Sequence, residues 1–405
     1  MRYLVRTIEP ELERIVGSFR SMVLTGPRQS GKTTLLKHQF AERFSYMSLE
    51  SPARRAEALT DPESFLALNP PPLIIDEVQY APDLISFVKL KIDDRSDMKG
   101  QYILTGSQNL LLSQEVTQVL SGRTVFARLW PLSGHERAGL PQAKLPWERT
   151  HPSKPLPQVA HLDIWQQLAA GGYPEPVSLS PADRSDWFES YVLTYLERDV
   201  RQIRRISMFA QFQSFLVQIA LQSGQLLNLT TLSRKVGVSL NAVKSWLSLL
   251  EATYQVILVR PYFSSLSKRL VKSPKVYLTD TGLLCHLLGI RDANAAVDSP
   301  FKGAIMETAV AMELSKAFAH HRSQDRLWFW RTSDGLEVDF IVETPQGLIP
   351  VEVKSGSTPH RGMSRSIRRL RKLMPDRLHP GYVIHTGGSL GALGGGDTAL
   401  PLAFL

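Results

Sequence analysis

The stretch that most constrains the fold is residues 21–33, "SMVLTGPRQSGKT". A short apolar run leads straight into a G-x-x-x-x-G-K-T loop, the pattern of a phosphate cradle between a strand and a helix. Gly26 and Gly31 let the backbone wrap closely enough for its N–H groups to face phosphate oxygens. The loop then opens a helix, whose positive end favours an anion. Lys32 is placed to reach the β- and γ-phosphates and Thr33 to ligate magnesium, with Ser30 and Thr34 completing the nucleotide-binding stretch. A chance match in a glycine-containing turn is the competing explanation, and the flanking strand and helix count against it.

A second block strengthens this reading. "PPLIIDEVQ" is an apolar strand ending in Asp76-Glu77. Asp76 is placed to hold magnesium through water beside Thr33, and Glu77 to polarise an attacking water. The next strand, "QYILTGSQN", ends in polar residues that can touch the γ-phosphate; Ser107 is favoured, with Thr105 and Asn109 as alternatives. After the segment "NLLLSQEVTQVLSGR", Arg123 stands just before a fifth strand. It reads either as a finger reaching a neighbouring subunit's γ-phosphate or as a solvated cation at a helix C-terminus. Strands "SMVLTG", "FSYMSL", "PLIID", "QYILTG" and "TVFARLW" alternate with helical segments, which predicts a parallel sheet flanked by helices over residues 1–140.

At 405 residues the chain has room for several domains. The expected division is an ATPase-type core at 1–140, a proline-rich linker or insert at 141–158, a helical region at 159–280 and an α/β domain at 281–405. "GGSLGALGGG" (387–396) reads as a flexible surface loop. The formal charge of +9 permits a polyanionic partner. A single cysteine, Cys285, excludes an internal disulfide and suits a reducing compartment. No apolar run reaches bilayer-spanning length and the N-terminal stretch is too charged for a signal peptide, so the expectation is a cytoplasmic protein with no membrane partner.

Residues 228–251, "NLTTLSRKVGVSLNAVKSWLSLLE", read as helix, turn, helix. Leu232, Val236, Val238, Val243, Trp246, Leu247 and Leu250 supply the apolar positions, Gly237 the turn and Ser239 a cap. Strands "YQVILV" and "PKVYLT" follow, which suits a winged helix-turn-helix. Asn241, Lys244 and Ser245 would then face DNA, although so few cations also suit packing against protein. Arg198, Arg201 and Arg205 share one side of a segment at 195–206 that reads as a salt-bridged helix face or a phosphate-facing stripe.

The C-terminal region poses the chemical question. "DFIVE" and "LIPVEVK" read as a hairpin, with Asp339 opposite Glu352 and Lys354 on the same face as Glu352. Glu307 comes from a preceding helix. Such a set either holds a second Mg²⁺ or Mn²⁺ for phosphodiester cleavage or is a salt-bridged strand face. Residues 361–380 then carry seven basic side chains against one acidic. Arg365, Arg368, Arg369 and Lys372 are the candidate DNA contacts there, on a helix suited to phosphate backbones.

With these residues assembled, the chain resembles a prokaryotic family of AAA-type ATPases. The C-terminal half of that family is a domain of unknown function combining a winged helix with a restriction-endonuclease-like fold. The resemblance rests on the order of "GPRQSGKTTL", "LIIDEVQ", "YILTGSQN", "LSGRT", "PLSGHE", "GGYPEP", "YLERDV", "PKVYLTDTGLL", "WRTSDGLEVDF" and "VEVKSG". It implies an α/β multidomain fold with N-terminal sheet order 5-1-4-3-2. It implies ATP binding and hydrolysis at Lys32, Thr33, Asp76 and Glu77, and favours Arg123 acting across a homo-oligomer. It carries the nuclease-like site onto Glu307, Asp339, Glu352 and Lys354. Two functions follow: a DNA-associated ATPase with a nuclease-like module, or an ATP-dependent switch whose C-terminal domain binds a protein partner and cuts nothing.

Overall fold

The computed structural model describes residues 3–106, 120–148, 159–195, 209–263 and 273–405. Ser107, Asn109 and the arginines at 198, 201 and 205 lie outside the described residues, as does the basic segment at 264–272. The chain forms two compact units, the first comprising residues 1–132 with 252–254 and 319–322.

In the first unit, β1 (Ser21–Thr25), β2 (Ser45–Ser48), β3 (Leu73–Asp76), β4 (Tyr102–Gly106) and β5 (Thr124–Arg128) form one sheet of order β2-β3-β4-β1-β5. All the pairings are parallel. This is the expected 5-1-4-3-2 order read from the other edge. Period two divides the strands between two cores. Val23, Leu73, Ile75, Tyr102 and Leu104 pack with Phe65, Leu66, Leu84, Ile85 and Val88 of the helices Pro62–Leu68 and Leu84–Asp94. Met22, Leu24, Ile74 and Ile103 pack with residues of the helices Glu9–Ser18 and Lys32–Phe40. Each fully buried Leu or Ile contributes about 1.5–3 kcal/mol, so the ends of β1, β3 and β4 are held rigidly where the polar motifs begin.

In the second unit, an apolar cluster containing Trp165, Phe212, Phe215 and Trp246 holds together the helices His161–Ala170, Phe209–Leu221, Leu229–Val236 and Leu240–Ala252. The helix-turn-helix forms as its apolar spacing predicts. Gly237 takes a φ of 75° at the turn, and Ser239 Oγ accepts the Ala242 N–H at 3.2 Å. An antiparallel ribbon follows, made of β6 (Gln225–Leu226), β7 (Val256–Pro261) and β8 (Lys275–Leu278).

The ribbon joins β9 (Arg326–Arg331), β10 (Glu337–Thr344), β11 (Gly347–Val353), β12 (Tyr382–His385), β13 (Gly391–Gly394) and β14 (Asp397–Pro401). Together they make one nine-stranded sheet of order β13-β14-β12-β11-β10-β9-β7-β8-β6, so strands on either side of residue 280 share a sheet. The helix Lys302–His320 packs on it through Val310, Ala311 and Leu314. The helix Arg365–Leu373 packs on it through Ile367 and Leu370.

Two segments differ from expectation. The stretch at 387–396 is not simply a loop: it contains the edge strand β13, because Leu393 is buried and Gly394, Gly395 and Gly396 all take positive φ to turn the chain back. Within 141–148, Leu145 is buried in the core of the sheet and the Trp147 ring lies 5.5 Å from that of Tyr382. Two apolar side chains thus anchor the start of a run whose prolines suggested a linker or insert.

Candidate functional site

The first site is built where β1, β3 and β4 end. Gly26 has a φ of 150°, and a Cβ there would lie 2.1 Å from the Leu129 carbonyl oxygen, so no larger residue fits. Gly31, at φ 93°, turns the loop into the helix Lys32–Phe40. Arg6 braces the loop from behind: it is buried and donates to the Ser30 carbonyl at 2.9 Å and the Trp130 carbonyl at 2.6 Å. Ser30 is fully buried, and Thr34 follows Thr33 in the first turn of the helix. Lys32 Nζ donates to the Gly26 and Pro27 carbonyls at 3.0 and 2.9 Å, which holds its ammonium at the loop.

Thr33 Oγ1 donates to Asp76 Oδ2 at 2.7 Å, joining two motifs 43 residues apart. Tyr46 on β2 donates to the same oxygen at 2.5 Å; burial and the Asp76 carboxylate push its phenol well above the usual range. Tyr46 carries no sequence signature, because a lone tyrosine in "FSYMSL" has no motif around it. Its only signal is its place on the strand neighbouring the acidic one. Glu77 sits in the left-handed region at φ 56°, a conformation costing on the order of 1–3 kcal/mol that concentrates at functional sites. Its backbone N–H donates to Asp76 Oδ1 at 3.1 Å, and Gln79 donates to its carboxylate. Burial raises the Glu77 pKa, while Lys32 and Arg28 pull it down.

Thr105 is fully buried at the end of β4, one step beyond the β3 pairing Ile75–Leu104, and its Oγ1 has no hydrogen-bond partner among the described residues. Arg123 is engaged within its own unit. Its guanidinium grips Asp93 at 2.5 and 3.1 Å, and that hydrogen bond holds the Asp93 carboxyl below the usual range. Hard oxygen donors suit magnesium, and Thr33 Oγ1 with the Asp76 carboxylate forms such a pair beside the loop.

The second site lies in the C-terminal sheet. β10 pairs with β11 from Phe340–Val351 to Thr344–Gly347, so Pro345 and Gln346 form the loop and Asp339 faces Glu352 in the continued register. Beyond Phe340 a side chain replaces the ladder: Val353 N–H donates to Asp339 Oδ2 at 2.8 Å. On its other edge, β10 shifts register between Val338 and Ile341, and such a bulge re-aims the side chains it contains. Lys354 Nζ donates to Glu352 Oε2 at 2.7 Å, while Glu352 Oε1 is buried with no hydrogen-bond partner among the described residues.

Glu307 has partners that the sequence did not announce. Lys275 and Tyr277, two apart on β8 and so on one face, donate to its Oε1 at 2.7 and 2.5 Å. Lys275 also pairs with Glu337 at 2.5 Å. Burial and neighbouring Asp339 push Glu307 up to about 7 and Glu352 up to about 8; burial also raises Asp339. Lys275 is raised because Glu307, Glu337 and Asp339 outweigh its burial, so it keeps its charge. Among the described residues no group of three acids or histidines is placed to hold a metal. The acids meet the expected positions, but their oxygens are taken by lysines, a tyrosine and a backbone amide, so they do not fit a metal as they stand.

Of the candidate DNA contacts, Lys244, Arg365, Arg369 and Lys372 are exposed. Arg368 is half-buried and donates to the Arg361 carbonyl and Ser364 Oγ at 2.8 and 2.6 Å. No helix among the described residues is long and apolar enough to cross a membrane.

A family model described as an AAA domain matches residues 18–138. Two described as domains of unknown function, DUF8612 and DUF4143, match residues 161–294 and 302–405. Uncharacterised proteins of Mycobacterium bovis and Mycobacterium tuberculosis are each 31% identical over 365 residues, 90% of this chain and 76% of theirs. An uncharacterised protein of Methanocaldococcus jannaschii is 23% identical over 79% of this chain and 71% of its own. Among solved structures, a Walker-type ATPase of Pyrococcus abyssi is 15% identical, with 69% of this chain and 94% of that one covered and a TM-score of 0.44. The chain belongs to the same family as these mycobacterial proteins, and it is a P-loop AAA-type ATPase that carries a C-terminal domain of unknown function.

Proposed function

We propose that the protein binds and hydrolyses Mg-ATP and couples that cycle to DNA through its C-terminal half. The observation carrying the first part is the Thr33–Asp76 hydrogen bond at 2.7 Å beside the glycine-shaped loop. Thr33 and Asp76 would hold magnesium, which when bound neutralises charge on the phosphates. Lys32 exchanges its two loop carbonyls for β- and γ-phosphate oxygens. Glu77, buried and with a raised pKa, orients and deprotonates the attacking water. Thr105 or Ser107 contacts the γ-phosphate, and Arg123 serves a neighbouring subunit after leaving Asp93. Lys32→Ala should weaken nucleotide binding at least tenfold, and Glu77→Gln should bind ATP yet turn it over at least tenfold more slowly. Near-wild-type turnover in both would overturn the assignment.

The DNA part rests on the exposed cations Arg365, Arg369 and Lys372 at four- and three-residue spacing, with Lys244 exposed on the second helix of the helix-turn-helix. A second reading, a switch whose C-terminal domain binds a protein partner and cuts nothing, is favoured by one observation. The nuclease-like acids are already paired with Lys275 and Lys354.

A further inference from the structure

Asp76 is 3% exposed, and three donors meet its carboxylate. Oδ1 accepts the Glu77 N–H at 3.1 Å, while Oδ2 accepts the hydroxyls of Thr33 at 2.7 Å and Tyr46 at 2.5 Å. Each carboxylate oxygen offers about two acceptor positions, so Oδ2 is filled and Oδ1 keeps one open. Thr33 and Glu77 belong to the two sequence motifs of the site. Tyr46 belongs to neither and donates from a different strand. A donor needed only to satisfy a buried acid would not have to crowd the oxygen that Thr33 already holds.

The fold holds that phenol in place. β2 pairs with β3 in parallel, Tyr46 against Ile74 and Ser48 against Asp76. Period two puts these four residues on one face of the sheet, and the tyrosine reaches Asp76 along the diagonal. The helix Lys32–Phe40 meets the same pair. Thr33 and Lys37, four apart and so on one side of that helix, contact Asp76 and Tyr46 respectively. Lys37 Nζ lies 4.2 Å from the centre of the Tyr46 ring, a cation–π contact, and the ring packs against the core containing Leu36 and Ile74. The hydroxyl is therefore set in position before any ligand arrives.

We propose that Tyr46 is a positioning residue for magnesium: it fills the last acceptor position of Asp76 Oδ2 and leaves only Oδ1 open toward the ion. Given magnesium held by Thr33 and Asp76, as proposed above, Asp76 then accepts a water of the hydrated ion at one place and is kept from rotating to ligate it directly. Magnesium gives up its water reluctantly and demands near-octahedral geometry, whereas calcium takes more ligands in looser arrangements. A carboxylate fixed in this way favours magnesium over calcium.

The test measures binding of a fluorescent, non-hydrolysable ATP analogue to the full chain, first without metal and then in titrations with Mg²⁺ or Ca²⁺. Tyr46→Phe keeps the ring and its packing and removes only the hydroxyl. Its metal-free affinity should match wild type. The Mg²⁺ concentration that half-saturates the metal-dependent gain should rise about tenfold, and the Ca²⁺ value should change by less than about threefold. Asp76→Asn should weaken both gains. Equal Mg²⁺ requirements in wild type and Tyr46→Phe overturn the proposal. Parallel rises for both ions, or a loss of metal-free affinity, also overturn it, because either makes Tyr46 merely structural. If metal does not raise wild-type affinity, or the gain survives Asp76→Asn intact, the magnesium assignment itself fails and takes the role of Tyr46 with it.

Discussion

Glu352 is 2% exposed, and a single ammonium, that of Lys354, meets one of its two carboxylate oxygens. Burial pushes it up to about 8, helped by Asp339 and opposed by Lys354, and Glu307 rises to about 7 for the same leading reason. Both values lie above those of an unfolded chain, so the folded state holds extra protons. The resulting stability is complete below the unfolded value near 4.5 and is lost as pH rises through 7 to 8. The thermal transition of the second unit should fall between about pH 5 and 8, and Glu352→Gln should flatten that fall. About 1 kcal/mol of relief corresponds to roughly 2–4 °C at about pH 9. Parallel midpoint-against-pH curves for the two proteins would refute the raised pKa. At this scale Lys32, Thr33, Asp76 and Glu352 were legible because spacing marks them. Tyr46 and Lys275 were not, since each acts on a residue about 30 positions away and belongs to no local pattern.

At the scale of elements, the hairpin register followed from period two and a two-residue loop. The shift between Val338 and Ile341 did not, because a bulge depends on the strand across from it. The basic helix Arg365–Leu373 shows what spacing can and cannot give. Ile367 and Leu370 face the core as their three-residue separation requires, leaving Arg365, Arg369 and Lys372 exposed. Arg371 looks equally basic in sequence, yet it is drawn to the buried Asp397 at 2.5 Å. The three exposed cations should therefore carry the phosphate contacts. Replacing all three with alanine should weaken duplex binding and make log K fall less steeply with log salt, by about 0.9 in slope for each phosphate that the variant leaves unneutralised. A slope unchanged from wild type in a fluorescence-anisotropy titration would remove this helix from the DNA-binding surface.

At the scale of the whole molecule, strand and helix alternation predicted that the first sheet is parallel, because parallel strands buried on both faces are nearly continuous apolar runs, whereas its strand order was implied only by the family resemblance. Alternation did not give the nine-stranded sheet, in which β7 pairs with β9 across some 65 residues of chain. No local signal encodes such a pairing. The proposed action across subunits turns on Arg123. Its bidentate grip on Asp93 is only partly buried, so exchange for a phosphate costs little and gains a stronger charge. If Arg123 completes a neighbour's site, Arg123→Ala should slow turnover by on the order of 10³-fold, while Asp93→Ala, which only frees the guanidinium, should not. Mixing inactive Arg123→Ala with inactive Lys32→Ala protein in equal amounts leaves about a quarter of interfaces with both groups intact, and turnover should recover to about that share. No recovery at any mixing ratio, with oligomers confirmed by light scattering, would confine Arg123 to its bridge with Asp93.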